Sequence, residues 1–214
     1  MTSGPSAPPL PSPQHPAVAA RAVSDAARAA TDAWARAVEP AESGRALSQL
    51  HSVLRDLGIA TRGLARYQTA GHPADPAPPG FPQDVRAAAQ HLLDASLSLA
   101  GVLAAEGLGP VPDPDEPGAA LCRASRHAIT AWRQPAGTSA DRDTTVERLI
   151  TAIGFLAAAA GSLAAGTPRQ RTISLLAVGE RLAAATACLA GAIPAPADDA
   201  RPRPRGRRPR TGGR

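Results

Sequence analysis

Neither lysine nor asparagine occurs among the 214 residues, and all 23 basic residues are arginine. Both missing amino acids need AA-starting codons, so strongly GC-rich coding is the simplest cause. Ala, Gly, Pro and Arg then accumulate through codon bias, and none of them alone signals selection. Aromatic residues make up 2% of the chain, so a core must be assembled from Leu, Ile, Val and much Ala. Alanine is the best helix former but buries roughly one methyl, against about 1.5–3 kcal/mol for a buried Leu or Ile. Thin helices packed closely at small residues follow. Cysteine occurs twice, at Cys122 and Cys188 without a C-x-x-C, which excludes a disulfide framework and a thiolate metal site; both read as small buried hydrophobes.

Motifs of chemistry are missing as well. There is no H-E-x-x-H, no Glu-x-x-His pair, and no phosphate-binding or nucleophile-elbow motif in the strand-to-helix setting it needs. No catalytic residue, metal ligand or cofactor is therefore assigned, and the expectation is a protein that is not an enzyme. The histidines are His15, His51, His72, His91 and His127; His91 and Asp94 share a helical face and can form a hydrogen-bonded pair. Met1 to Pro16 holds neither a basic n-region nor an apolar run, which excludes a signal peptide there and points to a cytoplasmic protein.

Proline segments what is present. Of 23 prolines, six lie in residues 1–16, five in 71–82, four in 107–118 and five after Ile193. The other three, Pro40, Pro135 and Pro168, fall singly between apolar-periodic stretches, as expected of a residue that breaks helix interiors and suits first turns. Six helices result, at about 17–38, 44–70, 83–106, 118–134, from 144, and from 168. Thr144 with Glu147 matches a capping box for the fifth, and Thr167-Pro168 with Gln170 marks the start of the sixth. Ser43 is a candidate cap for the second helix and Gly71 its stop. The fold class is all-α, a six-helix and mostly antiparallel bundle with disordered termini. The domains are a disordered Pro-rich N-terminus (1–16), a three-helix unit (17–106), a Pro-rich connector (107–117), a second three-helix unit packed on the first (118–193), and a disordered basic tail (194–214).

The stretch from Val146 to Ala165 is the expected centre. Val146, Leu149, Ile153, Leu156, Ala160 and Leu163 form one stripe, and no charge occurs between Leu149 and Pro168, so most of its circumference should be covered. The first helix offers Val18, Ala22, Ala26, Ala29, Ala33 and Ala37 as its inner face. Leu47, Leu50, Leu54, Leu57 and Leu64 map onto Val146, Leu149, Ile153, Leu156 and Leu163 at an offset of 99. Val85, Leu92, Leu99 and Leu103 map onto Leu175, Leu182, Leu189 and Ile193 at an offset of 90. The halves read as two similar three-helix units, although Ala-rich amphipathic helices also align by default. Gly154, Gly161, Gly179 and Gly191 suggest close helix–helix approach, because glycine costs about 1 kcal/mol against Ala inside a helix. A membrane span at 149–166 is long enough but weakly hydrophobic, and a buried bundle helix is the expected alternative.

The charge is divided by segment. Residues 1–200 hold 16 Arg and 18 acids, a net −2, while residues 201–214 hold seven Arg and no acid, a net +7. Within Arg201-Pro-Arg-Pro-Arg-Gly-Arg-Arg-Pro-Arg210, alternating proline keeps the backbone extended and arginine supplies charge for a polyanion. Its centre, Pro204-Arg205-Gly206-Arg207, resembles the AT-hook, a short DNA-binding motif built on P-R-G-R-P. The resemblance implies minor-groove contact with A·T-rich DNA, with Gly206 as the pivot and Arg205 and Arg207 along the groove floor. It covers about ten residues, and Arg208 displaces the closing proline to Pro209. Arg201, Arg203, Arg205, Gly206, Arg207, Arg208 and Arg210 are the candidate nucleic-acid contacts. The functional expectation is a non-enzymatic helical protein that associates weakly with DNA through this arm. The bundle would serve for homo-oligomerisation or protein docking, and a membrane partner is not expected. The alternative is a helical adaptor with an incidental basic tail.

Overall fold

The computed structural model describes residues 15–36, 40–67, 77–107, 117–133, 138–165 and 169–193. They form six α-helices: α1 Pro16–Trp34, α2 Pro40–Tyr67, α3 Phe81–Glu106, α4 Pro117–Ala131, α5 Ser139–Ala164 and α6 Arg169–Ala192. No strand occurs among the described residues. The chain is an all-α bundle. Proline sets several of the boundaries, as at Pro16 and Pro82 in the first turns of α1 and α3. Two glycines bracket α3, Gly80 (φ 90) before it and Gly107 (φ 65) after it. Both occupy the left-handed region that side chains with a Cβ avoid.

Each helix has two principal neighbours, and the six close into a ring in the order α1, α5, α6, α3, α2, α4 and back to α1. The ring is flattened into two layers of three, α1-α5-α6 over α4-α2-α3, with α5 and α2 in the middle and meeting only slightly. Contacts along the helices fix directions. Thr31 Oγ1 donates to the Phe155 carbonyl (3.0 Å) while His15 meets Asp141 (3.4 Å), so α1 runs parallel to α5. Cys122 Sγ donates to the Gln49 carbonyl (3.8 Å) and Arg126 meets Asp56 (3.7 Å), so α4 runs parallel to α2. The α2–α3, α5–α6, α1–α4 and α3–α6 pairs are antiparallel, the last fixed by Arg181–Asp94 and Arg171–Glu106. Exchanging the halves α1-α2-α3 and α4-α5-α6 maps this ring onto itself. The first helix of each half lies against the middle helix of the other.

The core follows the large apolar residues. Leu47, Leu50, Leu54 and Leu57 of α2 and Val146, Leu149, Ile153 and Leu156 of α5 are fully buried, and Leu92, Leu99, Leu175, Leu182 and Leu189 close around them. The two tryptophans tie α1 into the ring. Trp132 Nε1 donates to the Pro16 carbonyl and Trp34 Nε1 to Gln49 Oε1, each at 3.2 Å.

Four expectations are corrected. On α1 the inner face is Ala20, Val23, Ala27, Ala30 and Trp34, while Val18 and Ala29 point outward. Alanine on every face carries no phase, and Val23 and Trp34, three turns apart, set it. Helix α5 starts at Ser139 and is capped by Thr138, whose Oγ1 accepts from the Asp141 backbone N–H (3.2 Å) and donates to Asp141 Oδ2 (2.9 Å). Thr144 and Glu147 lie inside the helix. Ser43 lies in α2, where its Oγ accepts from Arg171 Nη2 (2.9 Å). Finally, α5 shares the centre with α2 and leaves Thr151, Gly154, Ala158 and Gly161 exposed. Lack of charge is not burial; small and hydroxyl side chains cost little in water. The expected stop at Gly71, the Thr167-Pro168 start, much of the N-terminal segment and of both Pro-rich connectors, and the whole of the tail lie outside the described residues.

Candidate functional site

Arg201, Arg203, Arg205, Gly206, Arg207, Arg208 and Arg210 all lie outside the described residues, as do the flanking prolines. Nothing in the bundle's geometry bears on them directly. Within the described residues, no three His, Cys, Asp or Glu side chains gather where a metal ion would fit.

The main polar cluster lies between α2 and α4. Asp56 is almost fully buried and accepts from Arg55 Nε and Nη2 at 3.2 and 3.1 Å. Its other oxygen has no hydrogen bond and faces Arg126 Nε at 3.7 Å, a distance for charge attraction rather than hydrogen bonding. Burial pushes the Cys122 thiol up from its ordinary value, so the sulfur stays protonated and is a poor nucleophile. Burial and then the Arg55 cation push His51 down, with Asp56 opposing. The cluster fixes α4 on α2.

The expected His91–Asp94 pair does not form the centre of a site. Asp94 accepts from Gln90 Nε2 (2.9 Å) and Arg181 Nη1 (3.1 Å) and joins α3 to α6. Arg142, 4% exposed, lies 5.5 Å over the Phe81 ring and donates from Nε to Asp143 at 3.0 Å. Arg171 ties three elements together, reaching Ser43 on α2 and Glu106 on α3. Many of the bundle's cations are thus committed to internal contacts.

The glycines reverse the expected pattern of close approach. Open space surrounds Gly154, Gly161 and Gly179, and Gly191 has only Asp84 Oδ2 at 3.8 Å. Close approach occurs at Gly58, where an added methyl would lie 2.7 Å from Leu93 Cγ and 3.3 Å from the Ala89 carbonyl. It also occurs at Gly118, which abuts the Gln49 side chain.

The feature that sequence reasoning missed is the outer face of α3 and α6. Leu97 is 68% exposed, Ile173 58% and Leu176 57%. The apolar stretch of α6 is 28% buried, against 44% for those of α3 and α5. All three helices are long and apolar enough to cross a membrane by length and composition. Comparison with family models, characterised proteins and solved structures finds no match to this chain.

Proposed function

We propose that this chain is a non-enzymatic, cytoplasmic helical protein that associates with DNA through its Arg/Pro-rich C-terminal arm. The bundle provides self-association. One observation carries the reading: the −2 charge of residues 1–200 against the +7 of residues 201–214. The internal ion pairs of Arg55, Arg126, Arg142, Arg171 and Arg181 support it, because they leave the arm as the dense source of positive charge. The AT-hook resemblance around Gly206 adds a preference for the narrow A·T minor groove. Titration of the full chain and a 1–200 truncation against A·T duplex, G·C duplex and single-stranded RNA tests it by fluorescence anisotropy. Binding lost on truncation with helicity retained, favouring the A·T duplex and falling with salt at a log–log slope of roughly −6, is expected for seven phosphate contacts. Binding unchanged by truncation refutes it. Equal tail-dependent binding to all three refutes the A·T preference and keeps a general polyanion arm.

The second reading is a helical adaptor with an incidental tail. The exposed Leu97, Ile173 and Leu176 favour it, and it predicts capture of a different protein that survives removal of the arm.

A further inference from the structure

Helix α6 carries two apolar seams, and the ring uses one of them. Leu175, Val178, Leu182, Ala185, Leu189 and Ala192 are buried at alternating steps of three and four. Arg169, Ile173, Leu176, Glu180, Ala183, Ala187 and Ala190 repeat the same steps on the opposite side, and every one of them is exposed. A seven-residue repeat of two seam positions is the pattern by which a helix pairs with another helix. The inner seam meets α3 and α5, whereas the outer one meets nothing in the described chain.

We propose that the N-terminal half of this outer seam, Arg169 to Glu180, is a homodimer interface, in which α6 packs antiparallel on α6 of a second copy about a two-fold axis between Ile173 and Leu176. The charges on the seam choose both the occupant and the register. With Ile173 of one copy opposite Leu176 of the other, the same register sets Arg169 opposite Glu180, once on each side of the axis. Neither residue forms an ion pair with the described residues. Arg169 is also the first residue of α6, where the helix dipole disfavours a cation, and an opposing carboxylate offsets that cost. The register that overlaps α6 along its whole length is worse, because it brings the two Glu180 side chains together at the centre. The Arg181–Asp94 and Arg171–Glu106 contacts set the exposed Leu97 of α3 level with the α6 turn at Glu180.

A lipid surface fits this face less well. Glu180 lies in the middle of the stripe, and a bilayer would bury its charge with no partner, whereas a second copy supplies one. A C2 interface is self-complementary, as the pairing of residue 169 with 180 and of 180 with 169 requires.

The inference takes up the self-association that the proposed function assigns to the bundle, and is independent of what the arm binds. Its test is the mass of the full chain by sedimentation equilibrium at physiological ionic strength, without nucleic acid. A dimer is expected, with the I173E/L176E double variant monomeric and as helical as the parent. R169E and E180R should each weaken the dimer roughly tenfold, since each places two like-charge pairs in the interface. The R169E/E180R charge swap should restore it to within a few-fold of the parent, and an R148E control on the outer face of α5 should leave it unchanged. A parent chain that is monomeric overturns the inference together with the self-association in the proposed function, and leaves DNA binding to be judged by anisotropy. A dimer indifferent to I173E/L176E overturns the interface alone, and a swap no tighter than its single variants overturns the antiparallel pairing. A monomeric parent that floats with phosphatidylglycerol vesicles, and an I173E/L176E variant that does not, would assign the face to lipid instead.

Discussion

Replacing glycine by alanine at Gly58 and at Gly154 is the same chemical change in two helices, and the structure gives it opposite signs. Inside a helix the substitution gains about 1 kcal/mol, because alanine loses less backbone freedom on folding. At Gly154 and Gly161 an added methyl meets nothing within 4 Å, so the gain should be realised. At Gly58 the methyl arrives 2.7 Å from Leu93 Cγ and 2.8 Å from its Cδ2, with the Ala89 carbonyl at 3.3 Å behind them. Leucine Cγ is not a free chain end; the side chain must change rotamer or α3 must move off α2. Overpacking of this kind costs about 1–3 kcal/mol, which exceeds the propensity gain and leaves a net loss of about 1 kcal/mol. For a chain of this length 1 kcal/mol corresponds to roughly 2–4 °C in midpoint. G154A and G161A should therefore each raise the thermal midpoint by that amount, and G58A should lower it by a similar one. Circular dichroism at 222 nm during heating and urea titration reads all three. A G58A variant as stable as G154A would show that α2 and α3 do not approach as described. Losses at Gly154 and Gly161 would show that the outer face of α5 is covered.

His51 titrates against the fold. Its pKa lies below the ordinary 6.5 because burial and Arg55 disfavour the imidazolium, so below that value the unfolded chain binds a proton that the folded chain refuses. Stability should fall as pH drops through 6.5 and level off below the folded value, and H51Q should flatten that step in urea midpoints measured between pH 7.5 and 5.5; a parent step unchanged in H51Q refutes the assignment. If the bundle pairs through α6, I173E/L176E should weaken A·T-duplex binding by the full chain at least tenfold although the arm is intact. Anisotropy reads this, and equal affinity of parent and variant would show that the arms act singly.

The legible part of the fold was written in large side chains. Leu47 to Leu64 and Val146 to Leu163 announce their helices and their inner faces because each leucine or isoleucine outweighs its neighbours. On α1 alanine occupies every side, so spacing suggests a stripe of any phase, and only the seats of Val23 and Trp34 select one. The start of α5 was obscured for a related reason. Thr138 with Asp141 and Thr144 with Glu147 both satisfy a capping pattern, and the apolar period that would arbitrate begins only at Val146. Glycine misled most, since Gly154 and Gly161 lie on the outside and Gly58, in a helix rich in leucine, marks the close contact. The outer seam of α6 was hidden because Ile173-Leu176 and Leu175-Val178 have the same period two residues apart. Which is inner depends on where α3 and α5 lie, and that is a property of the ring rather than of the helix.

Pairing through α6 also decides what two arms can reach. The proposed axis passes between residues 173 and 176, so each α6 continues about 17 residues beyond it before ending at Ala192. At 1.5 Å per residue that is about 26 Å, and the two helix ends point in opposite directions about 50 Å apart. Eight residues separate Ala192 from Arg201, and eight residues of fully extended chain reach at most about 28 Å. Two such arms can therefore meet one duplex at points up to about three helical turns apart, and whole turns put both minor grooves on the same side. On the proposed reading, a single arm of seven arginines binds weakly by itself. Held in pairs across that span, the second arm binds at the effective concentration set by its tether, and affinity rises without a new contact. On the proposed reading, the Ala-rich bundle serves DNA binding without touching the nucleic acid: it holds two arms within reach of one duplex.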